Sequence, residues 1–344
     1  MSTLAPTLSD PDLEVAWRKA VAPYQHAVAW RSWMQIGNSI VPFLLLWAGA
    51  YFSLEYSYLL SLGCSVFAAG FLVRCFIIFH DCGHGSFFRS TRANDIVGYI
   101  TGVLTFTPYY QWRYEHAVHH ATSGDLDRRG TGDISTMTVR EYLAASPGRR
   151  LAYRLYRNPL VLFLIGPLFH FVITQRLPWR GESRRERLSV HTNNLGLAVL
   201  VGGLVWLIGW KAFLLIQLPI IAISDALGVW LFYVQHQFED TYWEHHPEWD
   251  FTTASLRGSS FLDLPPVLQF FSGNIGYHHI HHLASKIPNY FLERCYRANP
   301  MFHDCRRLTL WQSFATIRHR LWDEDKRRMV GFGALRKRKA RASA

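Results

Sequence analysis

Long apolar runs break up the chain at roughly 38–54, 57–79, 158–174, 193–210 and 211–235, with a weaker stretch at 99–110 ending in Pro108–Tyr109–Tyr110. A membrane-crossing helix needs about 20 apolar residues to match about 30 Å of hydrocarbon. The second and last runs reach that length, and the first and fourth approach it. The third is short and is broken by Pro159, Gly166, Pro167 and His170. The pattern predicts an all-α integral membrane protein. Four transmembrane helices form two hairpins, with interfacial helices and a cytoplasmic helical cap beside them.

Charge sets the expected orientation. The connection near 53–57 carries only Glu55, and that at 209–212 only Lys211. The other connections are large and basic: 175–188 alone holds Arg176, Arg180, Arg184, Arg185 and Arg187. Basic loops stay on the cytoplasmic side, so both termini and segments 80–157, 175–192 and 236–344 are expected there. A crossing by 158–174 would put 80–157 and 236–344 on opposite sides, so that run reads as interfacial or re-entrant. The resulting division is a cytoplasmic N-terminal segment (1–35), a membrane domain (36–300) and a basic C-terminal tail (301–344). The tail ends in Arg336–Lys337–Arg338–Lys339 and Arg341, a solvated run that favours anionic lipid.

Composition agrees with this reading. Hydrophobic residues make up 49% of the 344, and the net charge of +11 fits basic cytoplasmic loops better than nucleic-acid binding. Cys64, Cys75, Cys82, Cys295 and Cys305 match no zinc or disulfide spacing, so reduced thiols are expected. Residues 1–35 show no secretory signal, so the first apolar run is expected to stay as an anchor.

The chemistry lies in the histidines, of which there are 17. His80 and His84 are spaced i, i+4. His116, His119 and His120, like His278, His281 and His282, are spaced i, i+3, i+4, within an arc of about 100° on a helix. His279 falls outside that arc and is the weakest ligand of its cluster. So many imidazoles exceed what one metal needs. Zinc takes four ligands, while imidazole ligation also suits iron, copper and nickel. Two irons able to activate dioxygen fit best. Isolated haem-ligand pairs within spans, a His-Glu-x-x-His zinc site and Glu-x-x-His di-iron motifs are all absent from the clusters. Asp81, Asp125, Asp133, Glu239 and Asp240 lie close enough in sequence to orient ligating rings. His245–His246 reads as a solvated loop, and His170 and His191 fall outside the site.

These three boxes, in this order, resemble the membrane fatty acid desaturases. The resemblance covers roughly residues 35–300. It is strengthened by Gly273–Asn274–Ile275–Gly276–Tyr277 through His282–Leu283 to Ile287–Pro288–Asn289–Tyr290, which is similar to bacterial and cyanobacterial acyl-lipid enzymes. It implies two nitrogen-ligated, non-haem irons and a further ligand, His236, just past the last span. Acyl-CoA desaturases carry an Asn four positions before that histidine, holding a water near one iron. Here that position is Phe232, so either a residue such as Gln235 takes the role or the coordination differs. The first box has three intervening residues, as in acyl-lipid enzymes. The implied activity is insertion of a cis double bond into a lipid-linked acyl chain, using dioxygen and two electrons. No haem, flavin or iron–sulfur motif is present, so the donor is expected to be a separate ferredoxin-like or cytochrome-like protein docking on the cytoplasmic face of a bacterial inner membrane. No nucleic-acid partner is expected. A fatty acyl or carotenoid hydroxylase of the same superfamily is the alternative. A non-enzymatic metal-binding or transport protein is another, but the spans offer few polar residues for a translocation path.

Overall fold

The computed structural model describes residues 11–179 and 181–335. Residues 1–10, Arg180 and the basic run 336–344 lie outside the described residues. A short helix, α1 (Pro11–Val21), precedes the hairpin of α2 (Ala29–Ser53) and α3 (Tyr58–His84). The Ser57 hydroxyl caps α3 by accepting from Leu59 N at 3.2 Å. The helix does not stop where the apolar run stops. It continues through the first histidine box and ends at Gly85, whose φ of 65° favours a residue without Cβ.

The next two helices are α4 (Thr91–Leu104) and α5 (Tyr109–Thr122), the second carrying the second box. Short α6 (Val139–Ala144), α7 (Pro147–Tyr156) and α8 (Gly166–Val172) follow. The second hairpin is α9 (Arg184–Ile208) and α10 (Trp210–His236), joined at Gly209 with φ 81°. Among the described residues four helices, α2, α3, α9 and α10, are long and apolar enough to cross a membrane. The run around 158–174 is broken instead. Pro147–Tyr156 and Val161–Arg176 meet at 65°, the shape of a broken span or a re-entrant loop, with a π-helical turn at Val161–Ile165. Arg176 anchors its end on Asn193 (2.6 Å), Asn194 (3.0 Å) and the Phe106 carbonyl.

Packing places α3 at the centre. Ala68, Ala69, Leu72 and Cys75 meet Phe43 and Ala50 of α2 and Ile216, Ile220 and Ile221 of α10. The small residues let the helices approach closely, as in helix pairs within lipid. Leu45, Phe67, Leu195, Val199 and Leu207 point outward and are exposed, which a hydrocarbon surround makes favourable.

Beyond the spans the chain is not purely helical. Five short strands form β1 (Met137–Thr138), β2 (Phe261–Asp263), β3 (Arg307–Thr309), β4 (Leu321–Asp323) and β5 (Arg328–Val330). β1 runs parallel to β4, which pairs antiparallel with β5, and β2 runs parallel to β3. The all-α expectation therefore holds for the apolar part and needs these strands added in the polar part. Leu321, Trp322 and Met329 are buried, so residues 301–335 pack onto the body and are not an extended tail. Short helices complete this portion: α11 (Phe251–Arg257), α12 (Pro266–Phe271), α13 (His278–Leu283), α14 (Asn289–Ala298) and α15 (Leu310–Ala315). Arg157, 1% exposed, ties it to the end of α10. Its guanidinium reaches Tyr233 (3.2 Å), Gln237 (3.1 Å) and the His319 carbonyl (2.7 Å).

Candidate metal centre

Two groups of imidazoles meet where α3, α5, α10 and α13 converge. His80, His84, His116, His120 and His281 form the first; His119, His236, His278 and His282 form the second. Within each group one ligand atom per residue lies within 4.8 Å of all the others. All nine side chains anticipated as ligands fall into these groups, and all are buried or half-buried.

Helical spacing explains how they divide. In α5 the i, i+4 pair His116 and His120 turns to the first group, with Nε2 atoms 3.1 Å apart, while His119 turns to the second. In α13 the i, i+4 pair His278 and His282 (3.1 Å) turns to the second group and His281 to the first, 3.1 Å from His120. His236, the last residue of α10, completes the second group at 3.2 Å from His119 and 3.0 Å from His278. The groups share a wall, since the His120 and His282 rings stack at 4.1 Å.

The donor set fits metal. Burial, then neighbouring imidazoles, push His116, His120, His278, His281 and His282 well below the ordinary histidine range. The rings are therefore neutral and offer lone pairs. With metal–nitrogen bonds of about 2.1 Å, ligands at right angles lie about 3.0 Å apart and tetrahedral ligands about 3.4 Å. The shortest nitrogen–nitrogen separations are 3.0–3.2 Å, within the range that ligands of one ion can take. The arrangement is compatible with two metals.

Each group has one ring anchored by a carboxylate. Asp81 meets His80 Nδ1 at 3.1 Å, and Asp133 meets His119 Nδ1 at 2.6 Å. Such a partner fixes the tautomer and leaves Nε2 free to ligate. His236 Nδ1 faces the Gly258 carbonyl at 3.3 Å. The other acidic candidates lie elsewhere. Asp125 pairs with His246 (2.8 Å), Glu239 with Arg328 (3.2 Å) and Asp240 with Arg306 (3.3 Å). His245 and His246 sit in an exposed loop, as expected. His170 bonds Thr174 and Gln175, and His191 is exposed. His279 turns away from both groups, with Nε2 3.1 Å from the Phe302 carbonyl. At the position of the missing Asn, the Phe232 ring packs 4.9 Å from His119 and 5.3 Å from His236. Gln235 turns aside and donates to the Ile275 carbonyl at 3.0 Å.

Sequence reasoning missed Trp112, which stacks on His116 at 4.3 Å and packs on Phe79 at 4.8 Å. Its place four residues before His116, on the same helical face, is the signal that could have found it. Gly83, inside the first box, leaves room for that indole: a Cβ there would sit 2.9 Å from it.

Asp133→Ala is expected to lower metal retention and activity by about 10- to 100-fold, the usual effect of removing such an anchor. Iron measured after chelator dialysis checks this, and unchanged retention would show that Asp133 does not support His119.

Four helices fit to cross a membrane and two buried imidazole groups define a membrane metalloprotein. The fatty acid desaturase family model matches residues 56–313. A fatty acid desaturase of Bacillus subtilis (strain 168) is 49% identical, covering 92% of this chain and 90% of its own length. An sn-1 acyl-lipid omega-3 desaturase (ferredoxin) of Synechocystis sp. is 28% identical over 70% of this chain and 68% of its own. An oleoyl-12-hydroxylase of Ricinus communis is 27% identical over 70% and 65%. The chain belongs to the fatty acid desaturase family.

Proposed function

We propose that this enzyme inserts a cis double bond into an acyl chain carried on a membrane lipid, with nine histidines holding two irons. The observation that carries this reading is the pair of converging imidazole groups at the ends of apolar helices. His80, His84, His116, His120 and His281 hold one iron, and His119, His236, His278 and His282 hold the other.

A methylene in mid-chain has no acidic proton for a side-chain base, so the bound irons supply the oxidising power, drawing on dioxygen and two electrons. In balance, –CH2–CH2–, dioxygen, two electrons and two protons give –CH=CH– and two waters. The chain's own residues orient and protect. Asp81 and Asp133 hold His80 and His119 in one tautomer. Trp112, backed by Phe79, and Phe232 set apolar rings against His116 and His119 and shield them on that side. No haem, flavin or iron–sulfur motif occurs in the chain, so electrons come from a separate ferredoxin-like or cytochrome-like carrier. A ferredoxin is named for the Synechocystis relative. Basic connections support a cytoplasmic position for the site and both termini, in a bacterial inner membrane, with 158–174 read as re-entrant from that side.

Metal analysis of protein purified with iron supplied is expected to find two irons per chain. Expression in a host lacking polyunsaturated lipids should yield new alkenes among the total fatty acids. A stoichiometry of one, or activity retained with zinc alone, would count against the di-iron site. An alcohol in place of the alkene would make the enzyme a hydroxylase, the activity in the name of the Ricinus communis relative.

A further inference from the structure

We propose that Asn289 and Gln35 are positioning residues of the first histidine group, acting through Asp81 on His80. The proposal rests on the two-metal reading above and extends it to residues far from the boxes in sequence.

Asp81 is 2% exposed and uses both of its oxygens. Oδ1 faces His80 Nδ1 at 3.1 Å. Oδ2 accepts twice from one residue, from the Asn289 backbone N–H at 2.7 Å and from its side-chain Nδ2 at 2.8 Å. The Asn289 amide is in turn gripped by Gln35 of α2. Gln35 Nε2 donates to Asn289 Oδ1 at 3.0 Å, and Asn289 Nδ2 lies 3.2 Å from Gln35 Oε1. Both amides are buried.

This reciprocal pair fixes which way the Asn289 amide points. Rotated by half a turn, it would set an oxygen against the Asp81 carboxyl and its NH2 against the Gln35 donor, losing bonds at both ends among buried groups. Held as observed, it occupies Oδ2 and leaves Oδ1 for the histidine. His80 Nδ1 must then carry the proton, and Nε2 keeps its lone pair for metal. Among the described residues, Asp81 is the carboxyl that bonds a ring of the first group, as Asp133 is for the second. The chain Gln35–Asn289–Asp81–His80 thus couples α2 and the start of α14 to one ligand.

A neighbouring contact provides the control. The Tyr290 hydroxyl accepts from Val28 N at 2.9 Å, joining the same two segments while bonding no histidine. Asn289→Ala, Gln35→Met and Tyr290→Phe would be prepared in the full-length enzyme and dialysed against an iron chelator. We expect Asn289→Ala and Gln35→Met to fall from two irons toward one. Their kcat should drop by about 10- to 100-fold, with KM for the acyl lipid unchanged. Tyr290→Phe should keep both irons and wild-type kcat. If Asn289→Ala does not fold, Gln35→Met carries the test, since it reaches His80 only through Asn289. Two retained irons and unchanged kcat in Gln35→Met would overturn the proposal. So would equal iron loss in Tyr290→Phe, which would reduce the network to helix packing. Wild-type enzyme that itself binds fewer than two irons would instead strike at the two-metal reading.

Discussion

Alanine at His278, His281 or His282 is expected to abolish product formation, while alanine at His279 leaves measurable turnover. The four residues share one short helix, so differences among them report direction rather than location. His281 supplies the first group, and His278 and His282 supply the second. Each substitution should therefore lower iron toward one per chain. His279 points instead at the Phe302 carbonyl. Its loss leaves that buried acceptor unpaired, costing about 1–3 kcal/mol of stability, with both irons kept. Iron content, thermal unfolding and product yield measured together separate the cases. Complete loss of iron and product in His279→Ala, with normal expression, would show that this ring also ligates.

Gly98→Ala is expected to damage the centre from outside it. A Cβ on Gly98 would overlap the ring of Tyr109, which is fully buried. That ring cannot swing away cheaply, because its hydroxyl donates to the Cys82 carbonyl at 2.7 Å, inside the first box. Tyr109 also opens α5, which carries the second box. One added methyl should thus push two ligand-bearing helices apart. Overpacking of this kind costs about 1–3 kcal/mol, and the expected result is a lower Tm with reduced iron. Gly98→Ala combined with Tyr109→Leu should recover part of the iron. No recovery would place the fault elsewhere in α4.

The convergence of the candidate ligands was legible in the sequence because helical periodicity and coordination geometry ask for the same spacing. An i, i+4 pair converges on one metal, so His116 with His120 and His278 with His282 are recognisable from spacing alone. The four long helices were legible from their apolar runs, although the runs stop short of the helix ends. α3 extends through His84 and α9 begins at Arg184, since polar residues continue a helix as readily as apolar ones. The division of the second and third boxes between two groups was not legible, because an arc of about 100° says which residues share a face and not what stands opposite. The roles of Asn289 and Gln35 were not legible because their partners are hundreds of residues away. The strands escaped because two or three residues carry no period, and Leu321–Asp323 gains its identity by pairing with Met137–Thr138 and Arg328–Val330.

The interleaving of His119 and His120, neighbours in sequence that serve different groups, makes a ruler of the α5 backbone. An α-helix advances 1.5 Å per residue and resists stretching through its internal hydrogen bonds. The spacing of the two centres is therefore written in covalent and helical geometry, and α13 repeats the mark from the opposite side. A change in the spacing of the two groups would therefore require α5 itself to bend or stretch. The same arrangement joins their assembly: α5 or α13 misplaced by one turn would dismantle both centres at once.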